Sequence, residues 1–209
     1  MKEPNETMNE KPASVEDRII LAAIDCIEKY GISGATNRRI AFAAGVNNAA
    51  INYYFRSKEV LIRRCMEITL KNAFDLSGMP SMPEASAQER CIAILMSLVE
   101  GGFQYPGITR AHFFNLLVEG KNDTLLLEHV NRFIDNLAEE LQERGCELAL
   151  DELKLALVQI VSSVILVVLA PALFERYHGM NLQDPDTFLP YVTHLVNKLL
   201  GETAVYSET

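Results

Sequence analysis

Hydrophobic positions recur at three- and four-residue spacing along most of the chain, and apolar–polar alternation at every second residue is rare. That periodicity predicts an all-α protein. The first run opens on Ser14-Val15-Glu16-Asp17, a capping box whose acids also suit the positive end of a helix dipole. Ile20, Ala23, Ile24, Ile27 and Tyr30 then keep one face apolar until Gly31 stops the helix. A shorter helix follows. Thr36 can cap it, Ile40, Ala41 and Ala44 share a face, and Gly45 tolerates the positive φ of the turn. Asn47 or Asn48 can cap a third helix, Ala49 to Phe55, with Ile51 and Phe55 inward. Small residues at Ala41 and Gly45 let two helices cross closely at a steep angle, as in a helix-turn-helix. Ser57 can cap a fourth helix running to about Leu76, with Leu61, Cys65, Ile68 and Phe74 inward.

A loop with two prolines and a glycine covers residues 77–83. Beyond it, Ser86 and Glu89 form a second capping box, followed by a helical stripe of Ile92, Leu95, Met96, Val99 and Phe103. A helix over 108–118 comes next. Asn122 then starts a longer one, striped by Leu126, Val130, Phe133, Leu137 and Leu141 and ended by Gly145. Residues 155–174 contain no charged side chain. That length fits a membrane span, and a small helical membrane or interaction protein is the alternative reading of the chain. However, Gln159, Ser162, Ser163 and Pro171 interrupt the segment, and no cluster of positive charge flanks it to set an orientation. The preferred reading is a core helix packed on its own domain by one face and on a second subunit by another. The last helix, striped by Leu189, Val192, Leu195, Val196 and Leu199, would complete a four-helix interface in a homodimer. A charge placed at Val164 or Val168 is expected to split that dimer. About nine helices result. The expected organisation is a disordered leader at 1–13, a helix-turn-helix domain at 14–60 and a helical body at 61–209 with a frayed end.

Charge divides along the same line. The net charge is −9, yet residues 36–66 carry six basic side chains against Glu59 alone, a local +5, while 67–209 carry nine basic and twenty acidic. A basic module on an acidic body suits a protein that touches DNA at one end. The leader has more acids than lysines, which argues against a basic minor-groove arm. Cys26, Cys65, Cys91 and Cys146 form no C-x-x-C pair and fall in helical patterns, as reduced thiols of a cytoplasmic protein do. The histidines at 112, 129, 178 and 194 lack a metal-binding spacing, and no phosphate-binding loop, nucleophile elbow or dinucleotide fingerprint occurs. Neither an enzyme nor a bound cofactor or metal is expected.

The stretch AGVNNAAINYYFRSKEVL resembles the DNA-binding signature of the TetR family of one-component transcriptional regulators. In that family an Ala-Gly-Val turn leads into a short recognition helix ending in aromatics, followed by a Ser-Lys-Glu helix start. The resemblance implies an N-terminal helix-turn-helix domain plus a C-terminal helical domain for ligand binding and dimerisation. It also implies a dimer, a repressor more than an activator, that binds a palindromic operator and is released by a small-molecule effector. The resemblance carries phosphate contacts onto Thr36, Tyr53 and Lys58. By position, Asn48, Ala49, Ala50, Asn52 and Tyr54 are candidates for the face presented to the bases, where an Asn can pair with adenine and an Ala can rest on a thymine methyl. Arg38, Arg39 and Arg56 can add electrostatic contacts. Asn52 stands where the family often has an aromatic, and Ala49 and Ala50 where it has a small or Gly residue and a hydroxyl, so operator preference does not transfer. In the body, the polar residues within apolar stretches, His112, Asn115, Gln159 and Ser162, are candidates to line an effector cavity. Met66, Met96, Phe103, Phe113 and Phe133 are candidates for its walls. Few basic residues lie in these helices, which favours a neutral or cationic ligand over a polyanion.

Overall fold

A computed structural model describes residues 14–79, 82–121 and 125–201. The expected leader at 1–13, residues 80–81 of the proline loop, the Asn122 helix start and the tail from 202 lie outside the described residues. Those described are helical with turns between, and contain ten α-helices and one 3-10 turn. They divide into two compact units, one ending at Cys65 and one beginning at Met66.

The first unit holds α1 (Val15–Gly34), α2 (Asn37–Ala44), α3 (Asn48–Phe55) and the start of α4 (Lys58–Phe74). Its core is Ile19, Ala23, Ile27, Ile40, Ile51, Phe55, Leu61 and Cys65. Cys65 Sγ donates to Ile20 O at 3.7 Å, and burial pushes its thiol up to about 12, so no thiolate is present at neutral pH. Gly31 does not end α1. It kinks it, with φ 68° and ψ 173°, and the chain makes one more turn to Gly34. Tyr30 is not in the core either: its ring is exposed and lies under the Arg39 guanidinium, 4.6 Å from the ring centre. The apolar face of α1 therefore stops one turn earlier than its periodicity implies.

The second unit holds the rest of α4 and the 3-10 turn Leu76–Gly78. It continues with α5 (Ala87–Gln104), α6 (Pro106–Leu117), α7 (Leu125–Glu143), α8 (Leu150–Leu169), α9 (Ala172–His178) and α10 (Pro185–Leu200). The ninth predicted helix is the tenth here, because Pro171 breaks the uncharged segment and separates α9 from α8. Helices α5, α7, α8 and α10 enclose one core that includes Ile94, Leu95, Phe133, Leu137, Leu141, Leu157, Ile160, Val164, Phe188, Val192 and Val196. A Cβ added at Gly102 would stand 2.6 Å from Val168 Cγ1, so glycine is what lets α5 approach α8 this closely. Arg90 is buried and donates to Glu140 at 2.6 Å, while Arg144 donates to Glu140 at 3.1 Å and to Met82 O at 2.7 Å. This cluster ties the end of the proline loop to α7. Burial alone would raise the Glu140 carboxyl, but the two guanidiniums hold it below the usual range.

Helix α8 is long and apolar enough to cross a membrane. One side of it, from Leu153 to Val167, is core. The other side exposes Leu155 (65%), Val158 (47%) and Leu166 (45%), with Gln159 and Ser162 between them. Val164 and Val168, the positions expected at a subunit interface, point inward instead: Val164 is buried and Val168 packs on Gly102. A helix apolar all round gives no phase by which its sequence could tell the two faces apart.

Candidate nucleic-acid interface

The turn between α2 and α3 is fixed by backbone chemistry inside the first unit. Thr36 Oγ1 accepts from Arg39 N at 3.3 Å and caps α2. Gly45 takes φ 65° and ψ 38°, and the bond from Val46 N to Ala41 O (3.0 Å) closes the helix end in the manner that position requires. Asn47 Oδ1 then accepts from Ala50 N at 2.9 Å. Between the two candidate caps the structure selects Asn47, which leaves Asn48 with no capping duty and an exposed side chain. Ile51 and Phe55 anchor α3 in the core. The remaining positions face out: Asn48, Ala49, Asn52, Tyr53 and Tyr54 are exposed and Ala50 is half-buried. Tyr53 is 82% exposed, and its ring meets that of Tyr54 edge-on at 5.1 Å. This face presents small and polar groups flanked by two phenols that can donate.

The six basic residues of 36–66 do not share one role. Arg39 Nη1 donates to Gly34 O at 2.8 Å and Lys58 Nζ to Ile32 O at 3.2 Å, so both pin the turn that follows the α1 kink. Arg38, Arg56, Arg63 and Arg64 are exposed. A residue count by segment does not show that Arg39 and Lys58 help to hold the fold. Two further features escaped the sequence reading. Phe42, on α2, is 90% exposed. Arg56 has φ 64° and ψ −40°, a positive φ for a residue with a Cβ, and Ser57 N closes a tight turn onto Phe55 O at 2.7 Å. That turn carries the chain into α4, where Ser57 Oγ accepts from Val60 N at 3.3 Å. Such backbone costs free energy and persists only when its surroundings impose it. Only a glycine at 56 would have signalled it in the sequence.

Residues 19–65 match the family described as bacterial regulatory proteins, tetR family. That segment, which holds most of the first unit, is therefore similar to the DNA-binding part of TetR-family regulators. The HTH-type transcriptional regulator BetI of Escherichia coli O17:K52:H18 is 33% identical over 97 residues. The HTH-type transcriptional dual regulator CecR of Shigella flexneri is 38% identical over 89 residues. These matches cover 45% and 43% of this chain and 47% and 38% of the relatives, so the chain spans less than half the length of the curated relatives it matches. A TetR transcriptional regulator from Legionella pneumophila has a crystal structure with the same fold, at a TM-score of 0.65 and 20% identity, covering 91% of this chain and 98% of that one. The family model thus matches the N-terminal end, and likeness in fold extends over most of the chain.

The effector-cavity candidates scatter over the body. Phe133 is in the core, with Met96 and Phe103 packed at its edge, and Met66 and Phe113 are half-buried. His112 Nε2 and Thr69 Oγ1 are 2.9 Å apart, joining α6 to α4, and burial pushes the imidazole down to about 4, aided by the nearby His129. Gln159 and Ser162 lie on the exposed face of α8, with Ser162 Oγ donating to Val158 O at 2.6 Å. The Asn115 side chain lies outside the described residues. Among the described residues no group of three or more His, Cys, Asp or Glu side chains is placed to hold a metal.

Proposed function

We propose that this chain is a transcriptional regulator, a repressor, that grips a two-fold symmetric DNA operator as a homodimer and lets go when a small molecule binds its body. The observation that carries the reading is the outer face of α3. Its residues are held by caps and core contacts internal to the unit, yet Asn48, Ala49 and Asn52 make no contribution to that core. Such a face suits the floor of a major groove, where an Asn can read adenine and an Ala can meet a thymine methyl. Tyr53 and Thr36 suit the phosphates beside it, and the local +5 charge suits the backbone as a whole. Lys58 is engaged with Ile32 O, so its part in DNA binding would be shared with a part in folding.

The partner in dimerisation would be a second copy, met through Leu155, Val158, Ser162 and Leu166 of α8 together with Leu189 of α10, which is also exposed. An effector can act only by binding the two forms unequally. Helix α4 suits the coupling, since its first residues enter the core of the first unit and Phe74 near its end packs on the core of the second. Such a protein works in the cytoplasm.

Fluorescence titration of the purified chain against its own upstream DNA tests the reading. Tyr53→Ala should weaken binding to all duplexes alike, and Asn48→Ala should change which duplex is preferred. Val158→Glu should shift the sedimenting species from dimer to monomer and lower operator affinity. A wild-type chain with no duplex preference at low salt would overturn the reading.

A further inference from the structure

A cleft of about 430 Å³ opens at the C-terminal end of α4, between the 3-10 turn and α7. Its apolar wall is Phe74 and Phe133, tilted against each other with ring centres 5.4 Å apart. Its rim carries Lys71 from α4 and Arg132 and His129 from α7. Asp75 is the one carboxylate on the rim. It is engaged by the turn itself: Ser77 Oγ and Ser77 N donate to it at 2.6 and 3.0 Å, and these bonds hold its carboxyl below the usual range. Among the described residues neither Lys71 nor Arg132 forms an ion pair. His129 Nδ1 lies 2.9 Å from Leu125 O; a carbonyl only accepts, so Nδ1 carries the hydrogen and Nε2 is left as the ring's other polar atom.

We propose that this cleft binds a monoanionic carboxylate bearing an apolar body, the carboxylate between Lys71 and Arg132 and the body against Phe74 and Phe133. Three features point there together. The cleft is of ligand size, its floor is aromatic, and two cations stand on its rim in a unit that is otherwise strongly acidic. Arg132 offers the fork geometry that a carboxylate matches. The cations come from helices far apart in sequence, which is why counting bases along each helix pointed to a neutral or cationic ligand. The proposal rests on the effector-released regulator proposed above, and names the effector's class and its place beside α4.

The test uses the full chain and decanoate below its micelle concentration, with decanol, decylammonium and inorganic phosphate as comparators, read by calorimetry. Decanoate should bind, phosphate and decylammonium should not, and decanol should bind at least about tenfold more weakly. Lys71→Gln and Arg132→Gln, checked for an unchanged melting temperature, should each weaken decanoate by about tenfold. The same decanoate should release the wild-type chain from its DNA. A chain that retains its DNA but ignores decanoate, prefers decylammonium, or binds decanoate equally well in both variants overturns this inference alone. Equal binding of phosphate would overturn the role of the apolar wall. A chain that binds decanoate but no DNA leaves the site standing and removes the regulatory reading.

Discussion

The two units put their informative residues on opposite sides of their surfaces. In the first, the side chains proposed to meet DNA face outward: Tyr53, Asn48 and Asn52 are exposed and lie outside its core. In the second, the strongest sequence signals, such as the Leu126 to Leu141 stripe of α7, are buried core. A pattern kept by packing specifies a fold, whereas a pattern kept on an exposed face specifies something the face must touch. The difference predicts that substitutions in the body act on stability and those on α3 act on binding.

The largest expected effect is in the body core. Phe133→Ala removes a fully buried ring from the α7 stripe and should cost about 4 kcal/mol in urea unfolding. Tyr53→Ala, an equally aromatic loss on α3, should cost under about 0.5 kcal/mol. Similar costs for the two would erase the contrast.

Next comes the pH response of the body. The folded His112 titrates at about 4 against an ordinary value of 6.5, so the unfolded chain takes up the proton first. Its contribution is therefore neutral above pH 6.5 and becomes destabilising as pH falls from 6.5 towards 4, reaching about 3 kcal/mol. His112→Gln should flatten the stability curve in that window. An unchanged slope would show that the imidazole is solvated. The Glu140 carboxylate works in the same direction at lower pH, since a depressed acid gives stability that is lost as it protonates.

A smaller gain, rather than a loss, is expected in the first unit. Arg56→Gly removes a Cβ from a backbone at positive φ and should stabilise the chain by about 1 kcal/mol while lowering DNA affinity through the lost charge. A stability loss would show that the guanidinium itself holds the turn.

Legibility in the sequence follows the same division. The caps at Ser14, Thr36 and Ser86, the Gly45 turn and the α7 stripe were all readable, because each is a local relation between neighbours. The outward positions of α3 were readable because Ile51 and Phe55 set its phase. Three things were not. The inward turn of Val164 and Val168 depends on which flank of an all-apolar helix meets α5 and α10. The pinning of Gly34 and Ile32 by Arg39 and Lys58 depends on where α1 kinks. The presence of Lys71 and Arg132 on one cleft depends on how α4 and α7 pass each other. All three are tertiary facts, which no window of sequence contains.

The central claim is that two α3 faces, joined by one dimer, read duplex DNA. Selection of bound sequences from a pool of random duplexes, using the purified chain at moderate salt, tests it most directly. The account predicts an enriched two-fold symmetric site whose half-sites lie about one helical turn or slightly more apart. Recovery of unselected sequence, or of a lone half-site with no symmetric mate, would contradict it.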